Sequence, residues 1–348
     1  MLIIEREARS VDGLRVAMYG IGSVGSTLTR MLVERGAEIV GALARSPEKE
    51  GRDVGDLIGL AAPLGVTVTL DPDELLATKP DIVVMTVASY MDDMYEHVER
   101  CIQAGTNVIS LSEELLYPWH TSGDRAAALD VAAKAAGVTV ACTGHQDGYW
   151  VSLVSVLMGT AFRIDTVEGV ATWNVDDFGA ELARDQLVGS TVADFDEWAA
   201  TAERPPTFGR TSLHALAAVA GLTVATTTTT TMSEIAADDV WCKALQTTVP
   251  CGRLIGMTDV DRVTTEEGVE LSLAMTGKVY AGGESDMSEW WVRGESDLHL
   301  LCDGLPTHST TCSTLVNRVE DVLDAAPGFK TLDSLPQLRY RPRSRSVR

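Results

Sequence analysis

Short apolar runs alternate with amphipathic stretches along roughly the first 150 residues, and the pattern then changes. LRVAMYG (14–20), AEIVGALA (37–44), VTVTL (66–70), DIVVMTVA (81–88), NVISL (107–111) and VTVACTG (138–144) are brief and rich in Val and Ile. Such runs read as strands buried on both faces. Between them, VGSTLTRMLVERG (24–36) sets Val24, Leu28, Met31 and Leu32 on one helical face and closes on Gly36. MDDMYEHVERCIQAG (91–105) opens with acids and closes on a glycine, and a further helix is expected near 124–136. Strands separated by helices at this rhythm predict βαβ units and a parallel sheet.

Beyond that point an apolar helix, WVSLVSVLMGTAF, leads into a strand at 163–175, and helices are expected near 192–202 and 211–220. LTVATTTTTTMSEI (222–235) reads as a long strand because threonine is β-branched. More strands follow in VDRVTTEEGVELSLAMTG, SEWWVRGE and SDLHLLCDG, then a last helix near 309–326. The expected fold class is therefore α/β: an N-terminal Rossmann-type parallel sheet over 1–150, and a C-terminal α+β domain with a mostly antiparallel sheet over 151–335. Residues 336–348 read as a basic, solvated tail, and the segment before it is a candidate to pack back on the first domain.

Composition narrows the partners. A net charge of −22 argues against binding a phosphate backbone. No apolar run is long enough to suggest a membrane span, and the acids in MLIIEREARSVDG do not suit a secretory leader. The six cysteines form no C-x-x-C pair and have no histidine at zinc-finger spacing, so no metal is expected. These features point to a cytoplasmic protein acting on small molecules, with neither nucleic acid nor membrane as partner.

Gly20-Ile21-Gly22-Ser23-Val24-Gly25 is a G-x-G-x-x-G between an expected strand and an expected helix. In that setting Gly20 permits the tight turn, Gly22 admits a pyrophosphate, Gly25 allows close helix packing, and the helix N-terminus faces the anion. The second strand ends in Ala44-Arg45-Ser46, with no acid to bind a ribose diol. Arg45 and Ser46, with Lys49 further off, suit a 2′-phosphate, so NADP is favoured over NAD.

Ligands of such a sheet lie beyond the carboxyl ends of its strands. Thr86, Val87, Ala88 and Ser89 fall there, as do Ser112 and the adjacent acids Glu113 and Glu114. A carboxylate beside a nicotinamide can take a proton or hold a cationic amine. It can equally start a helix. Adjacency predicts different duties for the two glutamates, with Tyr117, Pro118 and Trp119 as a rigid wall. TGHQDGYW (143–150) brings His145, Gln146, Asp147, Tyr149 and Trp150 to the same edge, and WNVDDFG (173–179) offers Asn174, Asp176 and Asp177. All are candidate substrate contacts. Cys251 has no base partner in the sequence and is a poor nucleophile candidate.

GIGSVG, GALARSPEKEGRDVGDLIGL, NVISLSEELLYPW, TGHQDGYW, WNVDDFG and TLVNRVEDVLDAAPGFKTLDSLPQLRYR together resemble the dihydrodipicolinate-reductase-like amine dehydrogenases, the group that includes 2,4-diaminopentanoate dehydrogenase. The likeness runs from about residue 14 to 340. It implies a homodimer and reversible oxidative deamination of an amine, with a glutamate of the E-E pair, Glu113 or Glu114, at the amine, and, for a diamine, the surplus acids Asp147, Asp176 and Asp177 at the second cation. Ala44-Arg45 departs from the acid of many relatives, which puts NAD preference in doubt. Two other readings stand beside this one: reduction of an imine or cyclic enamine, and a dinucleotide-binding sensor without turnover. The run Thr226–Thr231 has no functional account at this level.

Overall fold

The computed structural model describes residues 11–200 and 204–342. The chain divides into two compact units, one of 11–147 with 311–342 and one of Gly148–Thr310. The end of the expected helix near 202 and the last basic residues, 343–348, lie outside the described residues.

In the first unit the elements run β1 (Arg15–Tyr19), α1 (Ser23–Glu34), β2 (Glu38–Leu43), α2 (Val54–Leu57), β3 (Val68–Thr69), α3 (Pro72–Ala77), β4 (Ile82–Met85), α4 (Met91–Gln103), β5 (Asn107–Ser110), α5 (Gly123–Ala136) and β6 (Thr139–Cys142). The inner strands are buried along nearly their whole length, which is why they read as unbroken apolar runs. α2 and α3 escape periodicity because each spans barely a turn or two. Their starts are nevertheless chemically marked: Asp53 and Asp71 cap them through backbone N–H groups.

In the second unit come α6 (Leu153–Met158), β7 (Ile164–Asn174), α7 (Ala180–Asp185), α8 (Val192–Ala199), α9 (Phe208–Val219), β8 (Val224–Ile235), β9 (Val240–Cys242), β10 (Thr247–Val249), β11 (Leu254–Thr265), β12 (Glu270–Lys278), β13 (Met287–Gly294) and β14 (Leu298–Asp303). Last come α10 (Thr307–Asp324) and β15 (Gly328–Lys330). The main sheet has the order β14-β13-β7-β12-β11-β8, and only β7 and β12 run parallel. It is thus mostly antiparallel. α9 packs on β8, β11 and β12, and α6 on β13. The core beneath them gathers Trp150, Trp173, Leu213, Leu216, Leu273 and Trp290. Gly169 makes room for Trp290, since a Cβ there would lie 2.6 Å from the indole.

The second unit ends at Thr310, not near 335. β15 adds to the far edge of the first sheet, giving the all-parallel order β15-β6-β5-β4-β1-β2-β3. The described part of the expected solvated tail is also different in character. Arg341 is buried, its guanidinium paired with Glu320 at 2.8 Å and with Asp321. A run of arginines among Pro and Ser looks solvated in sequence, but its described members Arg339 and Arg341 meet the acids of α10.

Candidate active site

Three glycines in the turn from β1 to α1 meet three demands. Gly20 has φ +114°, and a side chain on it would lie 2.7 Å from Thr86 Oγ1. A Cβ on Gly25 would sit 2.1 Å from the Gly20 carbonyl oxygen. Gly22 instead faces open space, with nothing within 4 Å of a built Cβ. It caps α1 by backbone alone, and the first turn of α1 holds no acid. Uncapped N–H groups beside an open glycine form a cradle for an anion, which fits a pyrophosphate. Thr86 braces the cradle from the end of β4, donating to the Gly20 carbonyl at 3.0 Å. Val87 is exposed and Ala88 half-buried on that same edge.

At the end of β2, Ala44 is buried and Arg45 exposed, while the Ser46 hydroxyl donates to Glu48 at 2.7 Å. Lys49 is nearer than its sequence distance suggests. The 3-10 turn Pro47–Lys49 folds it back, so its ammonium donates to the Ile21 carbonyl at 2.8 Å.

The adjacent glutamates diverge. Glu114 is buried and its carboxylate accepts from the Met91 N–H at 2.8 Å, Thr121 Oγ1 at 2.7 Å and Ser122 Oγ at 2.6 Å. It thereby caps α4, whose preceding Tyr90 supplies no side-chain cap. Glu113 begins a 3-10 turn (Glu114–Leu116) and is half-buried. Burial pushes its carboxyl above the ordinary carboxylate range, against the opposing pull of Ser89. Ser112 is buried and donates to the Ser89 carbonyl at 2.9 Å. Tyr117 feels Asp333, and Trp119 stacks edge-on against Phe329 and donates to Thr331 at 3.3 Å. The expected wall therefore leans on residues 329–333.

Beyond β6 the chain enters a π-helical segment, Gln146–Ser152, of a kind that recurs at functional sites. His145 is buried, and desolvation pushes its imidazole down to about 4, so it is neutral at ordinary pH. Gln146 is half-buried. Asp147, read from sequence as a substrate acid, is fully buried and forked by Arg318, Nε to Oδ2 at 2.7 Å and Nη2 to Oδ1 at 2.9 Å. Thr143 Oγ1 adds a third bond at 2.7 Å. In the second unit Trp150 belongs to the core and Tyr149 packs against it.

Asn174 uses its side-chain carbonyl to accept from the Asp176 N–H at 3.2 Å, the start of a 3-10 turn. Asp176 accepts from the backbones of Ala244 at 2.8 Å and Lys243 at 3.1 Å, fixing the β9–β10 turn. Asp177 is exposed; burial of its neighbourhood and the charge of Asp286 raise its pKa, while Lys243 and His308 oppose them. No group of His, Cys, Asp and Glu among the described residues is arranged to hold a metal ion. Sequence reasoning put Ser89 on the ligand edge without a role, and it missed Arg318, whose helical neighbours gave no sign that it is buried.

Residues 14–143 match the oxidoreductase family with an NAD-binding Rossmann fold, and residues 150–341 match the 2,4-diaminopentanoate dehydrogenase C-terminal domain. A solved structure titled amine dehydrogenase from Mycobacterium smegmatis is 51% identical, with TM-score 0.92, covering 95% of this chain and 98% of that one. The 2,4-diaminopentanoate dehydrogenase of Acetoanaerobium sticklandii is 23% identical over 94% of both chains. An amine dehydrogenase of Streptomyces virginiae is 30% identical over 30% of this chain and 29% of its own.

Proposed function

The chain belongs to the family defined by the 2,4-diaminopentanoate dehydrogenase C-terminal domain, joined here to an NAD-binding Rossmann domain, and from that premise we propose that it interconverts a small amine with the corresponding ketone and ammonia. It is an oxidoreductase acting on a CH–NH2 group. A nicotinamide dinucleotide supplies hydride acceptance and donation when bound, with Gly20 to Gly25 as its pyrophosphate cradle. The observation that carries the assignment within the site is the contrast between two adjacent acids. Glu114 is saturated by Met91, Thr121 and Ser122, whereas Glu113 is half-buried and its carboxyl is raised by burial. A carboxylate of that kind holds an ammonium or iminium cation and takes a proton from attacking water.

Glu113→Gln keeps the shape and removes the charge. Turnover in both directions, followed by nicotinamide absorbance, is expected to fall at least about a hundredfold, the usual contribution of a general base. Glu114→Gln is expected to lower thermal stability and leave residual turnover. The reverse ranking would move the chemistry to Glu114.

A simple amine is favoured over a diamine. Of three acids considered for a second cation, Asp147 is paired with Arg318 and Asp176 is bonded to the 243–244 backbone, which leaves Asp177. NADP is favoured over NAD because Arg45 and Lys49 stand where an acid would bind the ribose diol. A homodimer suits the face of the second sheet opposite α9. Its register aligns Thr230, Val260, Ala274, Val170, Glu289 and Leu301 in one flat row of mixed polarity. A cytoplasmic setting suits six free cysteines.

A further inference from the structure

The end of β2 carries no acid at 44–46, but the turn that follows supplies one. Pro47 opens the 3-10 turn Pro47–Lys49. The turn is fixed by the Lys49 N–H on the Ser46 carbonyl at 3.1 Å, and just beyond it by the Gly51 N–H on the Val68 carbonyl at 2.8 Å. Ser46 stands at the start of that turn, yet its hydroxyl makes no bond to the turn's backbone. It donates to the Glu48 carboxylate at 2.7 Å instead. The next residue, Lys49, places its ammonium on the Ile21 carbonyl at 2.8 Å, inside the glycine loop. One short turn thus brings an anion to Ser46 and a cation to the loop.

We propose that Glu48 is a specificity-determining residue for the dinucleotide, accepting from the ribose diol of NAD and competing with the 2′-phosphate of NADP for Ser46. This rests on the dinucleotide site at Gly20–Gly25, and it sets an opposing charge beside Arg45 and Lys49. The end of the second strand is where a Rossmann sheet meets the adenosine ribose. A serine hydroxyl has a single proton to give. With that proton held by Glu48, a phosphate oxygen at Ser46 must displace the carboxylate. Were both to crowd the same hydroxyl, the two anions would lie about 5 Å apart, two hydrogen-bond lengths, and repel. A ribose 2′-hydroxyl brings a proton of its own and no charge, so it can donate to Glu48 while Ser46 keeps its bond. Arg45 and Lys49 alone would select NADP. With Glu48 beside them both dinucleotides are admitted, and NADP binds less tightly than the two cations allow.

Glu48→Gln keeps the shape and removes the charge of an exposed side chain, so the melting temperature should match the parent. Calorimetric titration of each dinucleotide in low-salt buffer reads the effect without turnover. The NADP dissociation constant is expected to fall about tenfold and the NAD constant to rise about threefold, as loss of a repelling charge and of an ionic acceptor require. Salt at about 0.5 M should erase most of the NADP gain. An unmoved NADP constant, equal shifts for both dinucleotides, or a gain indifferent to salt overturns the proposal. The parent's own order of affinities decides separately whether NADP is favoured. A parent that binds neither dinucleotide removes the premise and the proposal together.

Discussion

Glu113 and Glu114 differ by one position and by almost everything that governs a carboxylate. One is surrounded by donors and starts a helix; the other has its pKa raised by burial, with the Ser89 side chain and its own backbone pulling the other way. That divergence was legible as a principle, because neighbours in extended or turning backbone point apart. Which acid took which task was not, because Met91, Thr121 and Ser122 converge on Glu114 only through the fold. Lys49 shows the same limit. Its distance in sequence from Arg45 made it a minor candidate, and one turn of 3-10 helix brings its ammonium to the Ile21 carbonyl. On the NADP reading, Lys49→Met is expected to weaken NADP about tenfold while changing NAD affinity less than about threefold, as a lost phosphate ion pair would. Direct titration of each dinucleotide against the enzyme measures this without turnover. Equal losses for both would mean that Lys49 only supports the glycine loop.

At the scale of elements, the threonine run becomes intelligible once β8 is paired with β11. Thr227, Thr229 and Thr231 share one face and reach His214 at 2.9 Å, Asp261, and Asp259 at 2.6 Å. Thr226, Thr228 and Thr230 alternate onto the other face, and Thr226 meets Thr264 at 2.7 Å. Sequence showed a β-branched strand but not this ladder, because an aspartate in an alternating strand looks solvent-facing. Asp261 is fully buried under α9, and a Cβ on Gly209 would lie 2.5 Å from its carboxylate. Desolvation pushes it up to about 6, despite bonds from Thr229 and Thr207. An acid whose folded pKa lies above its unfolded one binds protons more tightly when folded. Its contribution is therefore favourable at low pH and declines as pH rises from about 4 to about 6, by up to about 3 kcal/mol. Asp261→Asn cannot ionise, and the threonine hydroxyls can rotate to serve its amide. The variant should exceed the parent's melting temperature by little near pH 4 and by most near pH 8. A constant difference between the two proteins across that range would show that Asp261 does not titrate there.

The feature least defined by sequence spans the whole chain. The βαβ rhythm announced the parallel sheet and placed the break near 150, close to where the first unit is left after Asp147. It offered the return only as a candidate, the segment before the tail packing back on the first domain, and did not place it at Thr311, because β15 pairs with β6 across nearly two hundred residues and is only three residues long. Asp147, the last residue before the excursion, is forked by Arg318 shortly after the return. Arg318 also bonds Asp321 at 3.3 Å and the Pro336 carbonyl, and Arg341 in turn pairs with Asp321 and Glu320. The network therefore closes the first unit by joining the turn after β6 to α10 and the C-terminal segment. Its two ends are not equivalent. Removing Arg318 takes both guanidinium bonds from the fully buried Asp147, whereas removing the Asp147 charge leaves Arg318 bonded to Asp321 and Pro336. Arg318→Met is accordingly expected to destabilise the first unit by about 3–5 kcal/mol, the range for stranding a buried charge. Asp147→Asn should cost less, and the double variant should recover part of the Arg318→Met loss. Hydrogen exchange along β6 and the 143–147 turn localises the effect to this unit, and thermal unfolding of all four proteins completes the cycle. Strictly additive losses would show that the pair is not coupled, and that α10 is held by its apolar face alone.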